Sequence, residues 1–398
     1  MCHEDPVVIV SAARTPLGAF QGALSGLTAP ALGAAALRAT LSRAGLDAAK
    51  VDEVYMGCVL PAGLGQAPAR QAALAAGLSV ATPCTTVSKV CGSGMKAVML
   101  AHDTILCGSA QVVLAGGMES MSNAPYLLPK ARGGLRLGHG QVLDHMFLDG
   151  LEDAYAPDTR GQLMGQFAET CASEFGFTRE AQDAYAIAST LRAQDAIRQG
   201  ALIWEVAPVR ECVRGKAVEI DQDEQPMKAQ VDKIPTLKPA FRPDGTVTAA
   251  NASSISDGAA ALLMMRASTA SSLGLTPLAR VVGHAGHAQE PRRFTTAPAG
   301  AVRKLLTQVG WQTVDVDLWE INEAFAVVAM AAMQELDLAH EQVNVHGGAC
   351  ALGHPIGATG ARLIVTLLGA LRHRGLRRGV ATLCIGGGEA TAVAIEII

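Results

Sequence analysis

Residues 85–117 read TTVSKVCGSGMKAVMLAHDTILCGSAQVVLAGG, and this stretch decides the fold. Thr85 to Val90 is strand-like and ends at Cys91-Gly92-Ser93-Gly94. Beyond it Met95, Val98, Met99, His102, Ile105 and Leu106 recur at helical spacing. Val112 to Ala115 reads as a buried strand closed by Gly116-Gly117. Strand, helix and strand in this order predict parallel pairing through a right-handed crossover. The last third of the chain repeats the order. Leu318 to Ile321 is a strand candidate, a helix follows from Ala324, and Val343 to Val345 is another strand candidate. His354-Pro355-Ile356-Gly357 leads into a helical stripe of Ile364, Leu367, Leu368 and Leu371. Val380 to Ile385 then ends at Gly386-Gly387-Gly388, and Ala392 to Ile395 is an apolar return strand. Residue identity between the two stretches is weak, but the shared order of elements points to a duplicated α/β half.

Working outward, Val7 to Ser11 reads as a buried strand. Thr28-Ala29-Pro30 starts an Ala/Leu-rich helix that Gly45 stops. Val51 to Met56 suggests a strand and Ala67 to Ala76 a helix. Between about 120 and 250 the texture changes to charge, aromatics, Pro and loop residues. It includes a helix candidate from Arg179 to Gln199, with Thr178 as N-cap and Gly200 as stop. The expected division is a first half at 1–120 plus 250–275, an inserted loop domain at 121–249, and a second half at 276–398.

Composition narrows the class. The 398 residues are 49% hydrophobic and 17% charged, which excludes intrinsic disorder. Net charge is -4 and aromatics are 4%, so neither a basic field nor base stacking favours nucleic acid, and no membrane partner is expected. The nine cysteines include no C-x-x-C pair, which reads as reduced thiols in a cytoplasmic protein, with no metal site. No signal peptide or membrane span is visible.

Four short stretches carry candidate chemistry. Cys91 sits at a strand-to-helix junction, where free backbone N–H groups and the positive helix end favour thiolate. His354, held on a tight turn by Pro355, can act as base to a thiol. Cys384 ends a strand ahead of glycines whose backbone N–H groups can receive an oxyanion. Asn322, in Asn322-Glu323-Ala324-Phe325, either holds a polar group in a site or caps a helix. Each stretch alone also has a bland reading as core, cap or turn.

Their conjunction is specific. Cys91-Gly92-Ser93-Gly94, Asn322-Glu323-Ala324-Phe325, Gly353-His354-Pro355-Ile356-Gly357-Ala358-Thr359-Gly360 and Cys384-Ile385-Gly386-Gly387-Gly388 closely resemble the thiolase family. Ser11-Ala12-Ala13-Arg14-Thr15-Pro16, Ala115-Gly116-Gly117-Met118-Glu119-Ser120-Met121-Ser122 and Asn251-Ala252-Ser253 extend the match over nearly the whole chain. The resemblance implies two similar α/β halves in five layers, α-β-α-β-α, with a loop domain inserted in the first. It implies that Cys91 is acylated, His354 is its base, and Cys384 handles the α-proton of a second acyl group. Asn322 then holds a water that, with His354, stabilises the thioester or enolate oxygen. The N–H groups of Cys91 and Gly386 form the second oxyanion site.

The implied activity is reversible condensation of two acyl-CoA molecules, or thiolysis of a 3-oxoacyl-CoA, by ping-pong transfer. Coenzyme A is substrate and product, with no tightly bound cofactor. Ser253 matches the pantetheine-contacting Ser of the family, and Arg210, Arg214 and Lys228 are candidates for the CoA phosphates. Leu163 stands where several short-chain relatives have His. Phe294 replaces a Met, and Phe325 keeps the family's aromatic. Bulky Met164, Phe294 and Phe325 shorten the expected cavity, favouring acetoacetyl-CoA or other short esters. A broader-chain 3-ketoacyl-CoA thiolase and a non-catalytic acyl-CoA carrier are the competing readings. The family habit implies a homo-oligomer, dimer or tetramer. Glu389 and His346 depart from the family's common residues at their positions.

Overall fold

The computed structural model describes residues 5–213 and 216–398. Val7–Arg14 (β1) is buried at every position, as a strand covered on both faces must be. The first half continues with Ala29–Ala44 (α1), Glu53–Gly57 (β2), Pro68–Ala75 (α2), Cys84–Val87 (β3), Ser93–Leu106 (α3) and Val112–Ser120 (β4). Thr28 caps α1 through its side chain, and Gly45 closes it in the left-handed conformation. After the insertion, which carries Met164–Phe175 (α4) and Arg179–Arg198 (α5), Ser256–Arg266 (β5) completes this half. The second half holds Ala279–Ala288 (β6), Ala297–Val309 (α6), Leu318–Ile321 (β7), Ala326–Leu336 (α7), Thr359–Arg374 (α8), Arg378–Ile385 (β8) and Glu389–Ile397 (β9).

Strand pairing shows the duplication directly. The sheet runs β7-β8-β9-β6-β1-β5-β4-β2-β3, with Gly18–Ala19 added beside β5. In the first half β1, β5 and β4 are antiparallel neighbours, and β2 and β3 then follow in parallel. In the second half β6, β9 and β8 are antiparallel neighbours, and β7 follows in parallel. Val8 and Ile9 of β1 pair with Arg280 and Ala279 of β6 and join the halves. The hydrophobic clusters resolve five layers. Side chains of α3 and α8 pack together between strands of both halves. The outer face of the first half is covered by α1 and α2, and that of the second by α6 and α7.

Two strand expectations are corrected. Gly116-Gly117 does not close β4, which runs on to Ser120. These glycines serve close approach: a Cβ at Gly116 would strike the Ala260 carbonyl of the adjacent strand, and one at Gly117 the Gly357 carbonyl. Val343 to Val345 is not a strand; only Val343 bridges β7, in parallel, at the place that β3 takes in the other half. Asn344, at φ 48, turns the chain away.

Two buried charges hold the parts together. Arg14, fully enclosed, donates to Glu205 at 2.6 Å and to Asp223 at 2.7 and 2.8 Å, tying the insertion to β1. Glu119, at the end of β4 and also enclosed, accepts N–H groups from Val59 at 2.9 Å, Leu60 at 3.1 Å and Gly357 at 2.9 Å. The Gly357 carbonyl lies against Gly57, Gly94 and Gly117, where any Cβ would collide with it. The loop after His354 is thereby seated in the first half. Among the described residues, no helix is long and apolar enough to cross a membrane.

Replacing Glu119 by Ala leaves three buried N–H groups unpaired, at about 1–3 kcal/mol each. We expect Glu119→Ala to destabilise the protein by about 3 kcal/mol or more, read as a lower midpoint in urea denaturation. A loss below about 1 kcal/mol would show that the two halves do not depend on this carboxylate.

Candidate active site

Cys91 lies on the tight turn between β3 and α3. Val90, a β-branched residue, sits at φ 45, a conformation its side chain disfavours. The turn is braced from within: Lys89 N–H donates to Ser93 Oγ at 2.8 Å, and the Ser93 hydroxyl donates to the Val90 carbonyl at 2.7 Å. Gly92 makes room for the Ile385 side chain, at the end of β8, whose tip occupies the space of a Cβ. The Cys91 turn of the first half therefore rests on the end of β8 in the second.

The expectation that the helix terminus makes Cys91 a thiolate is corrected. Burial pushes its pKa up to about 11, against the pull of the Gly386 and Cys91 N–H groups, which lowers it. The thiol is protonated at rest and needs a base. Those two N–H groups converge on the sulfur, the pair named above for an oxyanion site.

The base candidate is placed for that task. His354 Nδ1 is 2.7 Å from Thr359 Oγ1, and the Thr359 hydroxyl donates to the Pro355 carbonyl at 2.9 Å. With its proton committed, Thr359 accepts from Nδ1–H, so Nε2 carries the free lone pair. Burial, with Arg362 adding to it, lowers the His354 pKa to about 3, so the ring is neutral. Asn322 Nδ2 lies 3.5 Å from Nε2. Asn322 does not cap a helix, because α7 starts later, with Phe325 as its N-cap. Its Oδ1 is buried with no hydrogen-bond partner among the described residues.

Cys384, 1% exposed, is the penultimate residue of β8. Its thiol pKa stands well above the ordinary value because of burial first and the proximity of Cys91 second. A cavity of about 360 Å³ brings these groups together: Cys91, His354, Cys384 and Gly386 line it, as do Leu163, Met164, Ser253, Phe294 and Phe325. Asn322 stands outside the lining, in contact with His354. Leu163 is the N-cap of α4, where its N–H donates to Gln166 Oε1 at 2.9 Å and its side chain faces the cavity. Ser253 N–H donates to the Ala324 carbonyl at 2.9 Å. Phe294 packs edge-on to Phe167, and Phe325 edge-on to Phe241.

The basic candidates do not join the cavity. Arg210 pairs with Glu219 on exposed surface, the exposed Lys228 pairs with the largely buried Glu224, and Arg214 lies outside the described residues. Phe147, which starts a short π-helical segment, and the loop residues Phe241 and Ile356 also line the wall and were not legible, since no periodicity directs them inward. The buried Glu323 was quoted above only as part of a motif. It accepts from Tyr185 at 3.0 Å, Ser189 at 2.7 Å, Asn344 at 2.8 Å and the Cys350 N–H at 3.0 Å, pinning the segment before His354 to α5. His346 is buried outside the cavity, and burial lowers its pKa to about 4. His102, Asp103 and His284 bring donor atoms within 4.8 Å of one another, also away from the cavity.

Comparisons with known proteins address the chain as a whole. Residues 7–268 match the family described as Thiolase, N-terminal domain, and residues 275–397 match Thiolase, C-terminal domain. The chain is 50% identical over 391 residues to an acetyl-CoA acetyltransferase of Pseudomonas aeruginosa, covering 98% of each. It is 51% identical over 395 residues to acetyl-CoA acetyltransferase 2 of Arabidopsis thaliana, covering 98% of this chain and 97% of the relative. Among solved structures, a Bacillus anthracis acetyl-CoA acetyltransferase superposes with a TM-score of 0.95 at 42% identity, over 99% of both chains. An Ascaris suum thiolase in complex with coenzyme A superposes with a TM-score of 0.92 at 43% identity, over 99% of this chain and 100% of that one. With two matched domains, full-length relatives and the doubled α/β architecture in agreement, the chain belongs to the thiolase family.

Proposed function

We propose that the protein is an acyl-CoA C-acyltransferase that condenses two acetyl-CoA molecules and, in reverse, cleaves acetoacetyl-CoA or other short 3-oxoacyl-CoA esters. The observation that carries this reading is the single cavity lined by Cys91, Cys384, His354 and Gly386. The acetyl-CoA acetyltransferases at 50% and 51% identity over the full chain support it. In this mechanism His354 Nε2 takes the Cys91 thiol proton, and the thiolate attacks the acyl-CoA carbonyl. The oxygen gains charge at the N–H groups of Cys91 and Gly386. CoA leaves as thiol with the proton from His354, which restores the neutral ring and leaves a thioester on Cys91. His354, neutral again, takes the Cys384 thiol proton, and the Cys384 thiolate then takes an α-proton from a second acyl-CoA, which restores its thiol. The enolate oxygen faces the His354 imidazolium and a water held by Asn322, its carbon attacks the Cys91 thioester, and the departing Cys91 thiolate takes the proton back from His354.

The wall restricts chain length. Met164, Phe241, Phe294 and Phe325 are large side chains around a cavity of about 360 Å³, which favours a short acyl group over the longer chains of a broad-range 3-ketoacyl-CoA thiolase. Intact Cys91, Asn322, His354 and Cys384 favour catalysis over a carrier role. Ser253 is assigned to the pantetheine arm. The residue division given above is retained, with 121–249 assigned to CoA binding and subunit contacts. We assign the enzyme to fatty acid metabolism in the cytoplasm; Cys58, Cys84, Cys91, Cys107, Cys171, Cys350 and Cys384 are free thiols, which suits a reducing compartment. A homo-oligomer, most simply a homotetramer, is expected from the half-buried edge strand β3 and from exposed Leu135, Leu137 and Val142 on the insertion.

Four outcomes test this reading. Acetyl-CoA treatment should place one acetyl group on Cys91; Cys91→Ser should abolish it. Cys384→Ser should keep acetylation and lose condensation by about 10²-fold or more, whereas equal loss of both steps would reject the division of labour. Thiolysis rates should fall by at least about tenfold from acetoacetyl-CoA to a long-chain 3-oxoacyl-CoA; faster long-chain cleavage overturns the pocket argument. Finally, the imidazole ¹⁵N signals of His354, assigned by their loss in His354→Asn, should keep neutral-ring positions from pH 8 down to pH 5, because the pKa is lowered to about 3. A midpoint near the ordinary 6.5 would contradict a dry, neutral base.

A further inference from the structure

The structure gives Glu389 a partner across the two halves. Its carboxylate forms an ion pair with Lys89 Nζ, joining the β8–β9 turn of the second half to the Cys91 turn of the first. Lys89 precedes Cys91 by two residues, and Glu389 follows Gly386 by three. Glu389 is directly opposite Ile385 in the β8–β9 ladder, so it belongs to the closing pair of the hairpin whose loop is Gly386-Gly387-Gly388. That register fixes the carboxylate relative to the Gly386 N–H. Ile385, the other member of the closing pair, fills the space beside Gly92. Two contacts thus bracket Cys91 from the same ladder pair: an apolar one at Gly92 and an ionic one at Lys89.

We propose that the Lys89–Glu389 pair is a positioning device that sets the spacing between the Cys91 turn and the Gly386 N–H. The proposal rests on the reading of Cys91 as the acylated thiol. The turn it holds contains Val90 at φ 45, a strained conformation that persists only where its surroundings fix it. The side chains of Lys89 and Glu389 are 25% and 39% exposed, so the pair adds little to global stability. Its effect falls on geometry. An oxyanion donor acts only at hydrogen-bond distance from the oxygen, and a displacement on the order of 1 Å costs about 10²-fold in rate. Because the N–H groups of Cys91 and Gly386 come from opposite halves, their separation is a distance between two bodies rather than a property of one loop.

The test uses Glu389→Gln, Lys89→Met and the charge-reversed double variant Lys89→Glu/Glu389→Lys, with kcat and KM for acetoacetyl-CoA thiolysis and acetyl occupancy of Cys91 from acetyl-CoA. Each single variant should lose about five- to tenfold in kcat, a partial displacement, with KM within about twofold and the urea midpoint unchanged. The double variant should recover most of the loss, and Lys89→Arg should stay near wild type. Singles within about twofold of wild type, or a double variant and Lys89→Arg no better than Lys89→Met, would overturn the proposal. A wild-type enzyme that takes no acetyl group on Cys91 overturns the underlying reading and the proposal with it. Normal wild-type acetylation beside unimpaired single variants overturns the proposal alone.

Discussion

One buried carboxylate meets backbone from both halves of the molecule. Glu119 sits at the end of β4 and accepts N–H groups from Val59 and Leu60 on one side and Gly357 on the other. It shares with the Ser254 carbonyl, which accepts from the His354 N–H at 3.1 Å, the task of anchoring the loop that carries His354 to the half that carries Cys91. The small residues around that anchor follow from it: Gly57, Gly94 and Gly117 leave room for the Gly357 carbonyl, and a side chain at any of them would push the loop away. Burial pushes the Glu119 pKa up to about 7 despite its three N–H donors. The carboxylate is thus held in a costly place because of what it connects.

The same burial sets the chemistry. The two thiols are raised above their ordinary pKa and the imidazole is lowered, because the cavity disfavours every charged form. A neutral imidazole beside a protonated thiol exchanges a proton without either group resting as an ion. Charge then appears only during reaction, at an oxygen facing backbone N–H groups that are already oriented. Preorganised donors of this kind suit thioester exchange, which begins and ends neutral at the acyl carbon.

Much of this was legible in the chain. The strand–helix–strand order around Cys91 and again around Cys384 gave the duplicated halves, and three glycine-rich turns together with the Asn322 stretch gave four candidate side chains that the fold brings together. The misreadings share a cause. Gly116-Gly117 looked like a strand end because a glycine pair commonly ends one; the nearby carbonyls that require glycine belong to residues far along the chain. Cys91 looked like a thiolate because helix termini are visible in sequence and burial is not. Phe147 comes from a one-turn π-helical segment of the insertion and Phe241 from one of its loops, both too short for a periodic pattern, so nothing local marks them as wall residues. Glu119 and Glu323 were visible only as letters in motifs: the N–H donors to Glu119 are backbone groups, which all residues share, and most donors to Glu323 are side chains distant in the chain, Tyr185, Ser189 and Asn344.

The central claim is that one sulfur from each half reaches a common point beside His354. Reaction with a small trivalent arsenical, which must bind two thiols at one atom, measures this most directly. Peptide mapping should find one arsenic per chain bridging Cys91 and Cys384, and prior acetylation of Cys91 should prevent it. Separate adducts on the two cysteines, or bridging of either to a different thiol, would contradict a shared cavity.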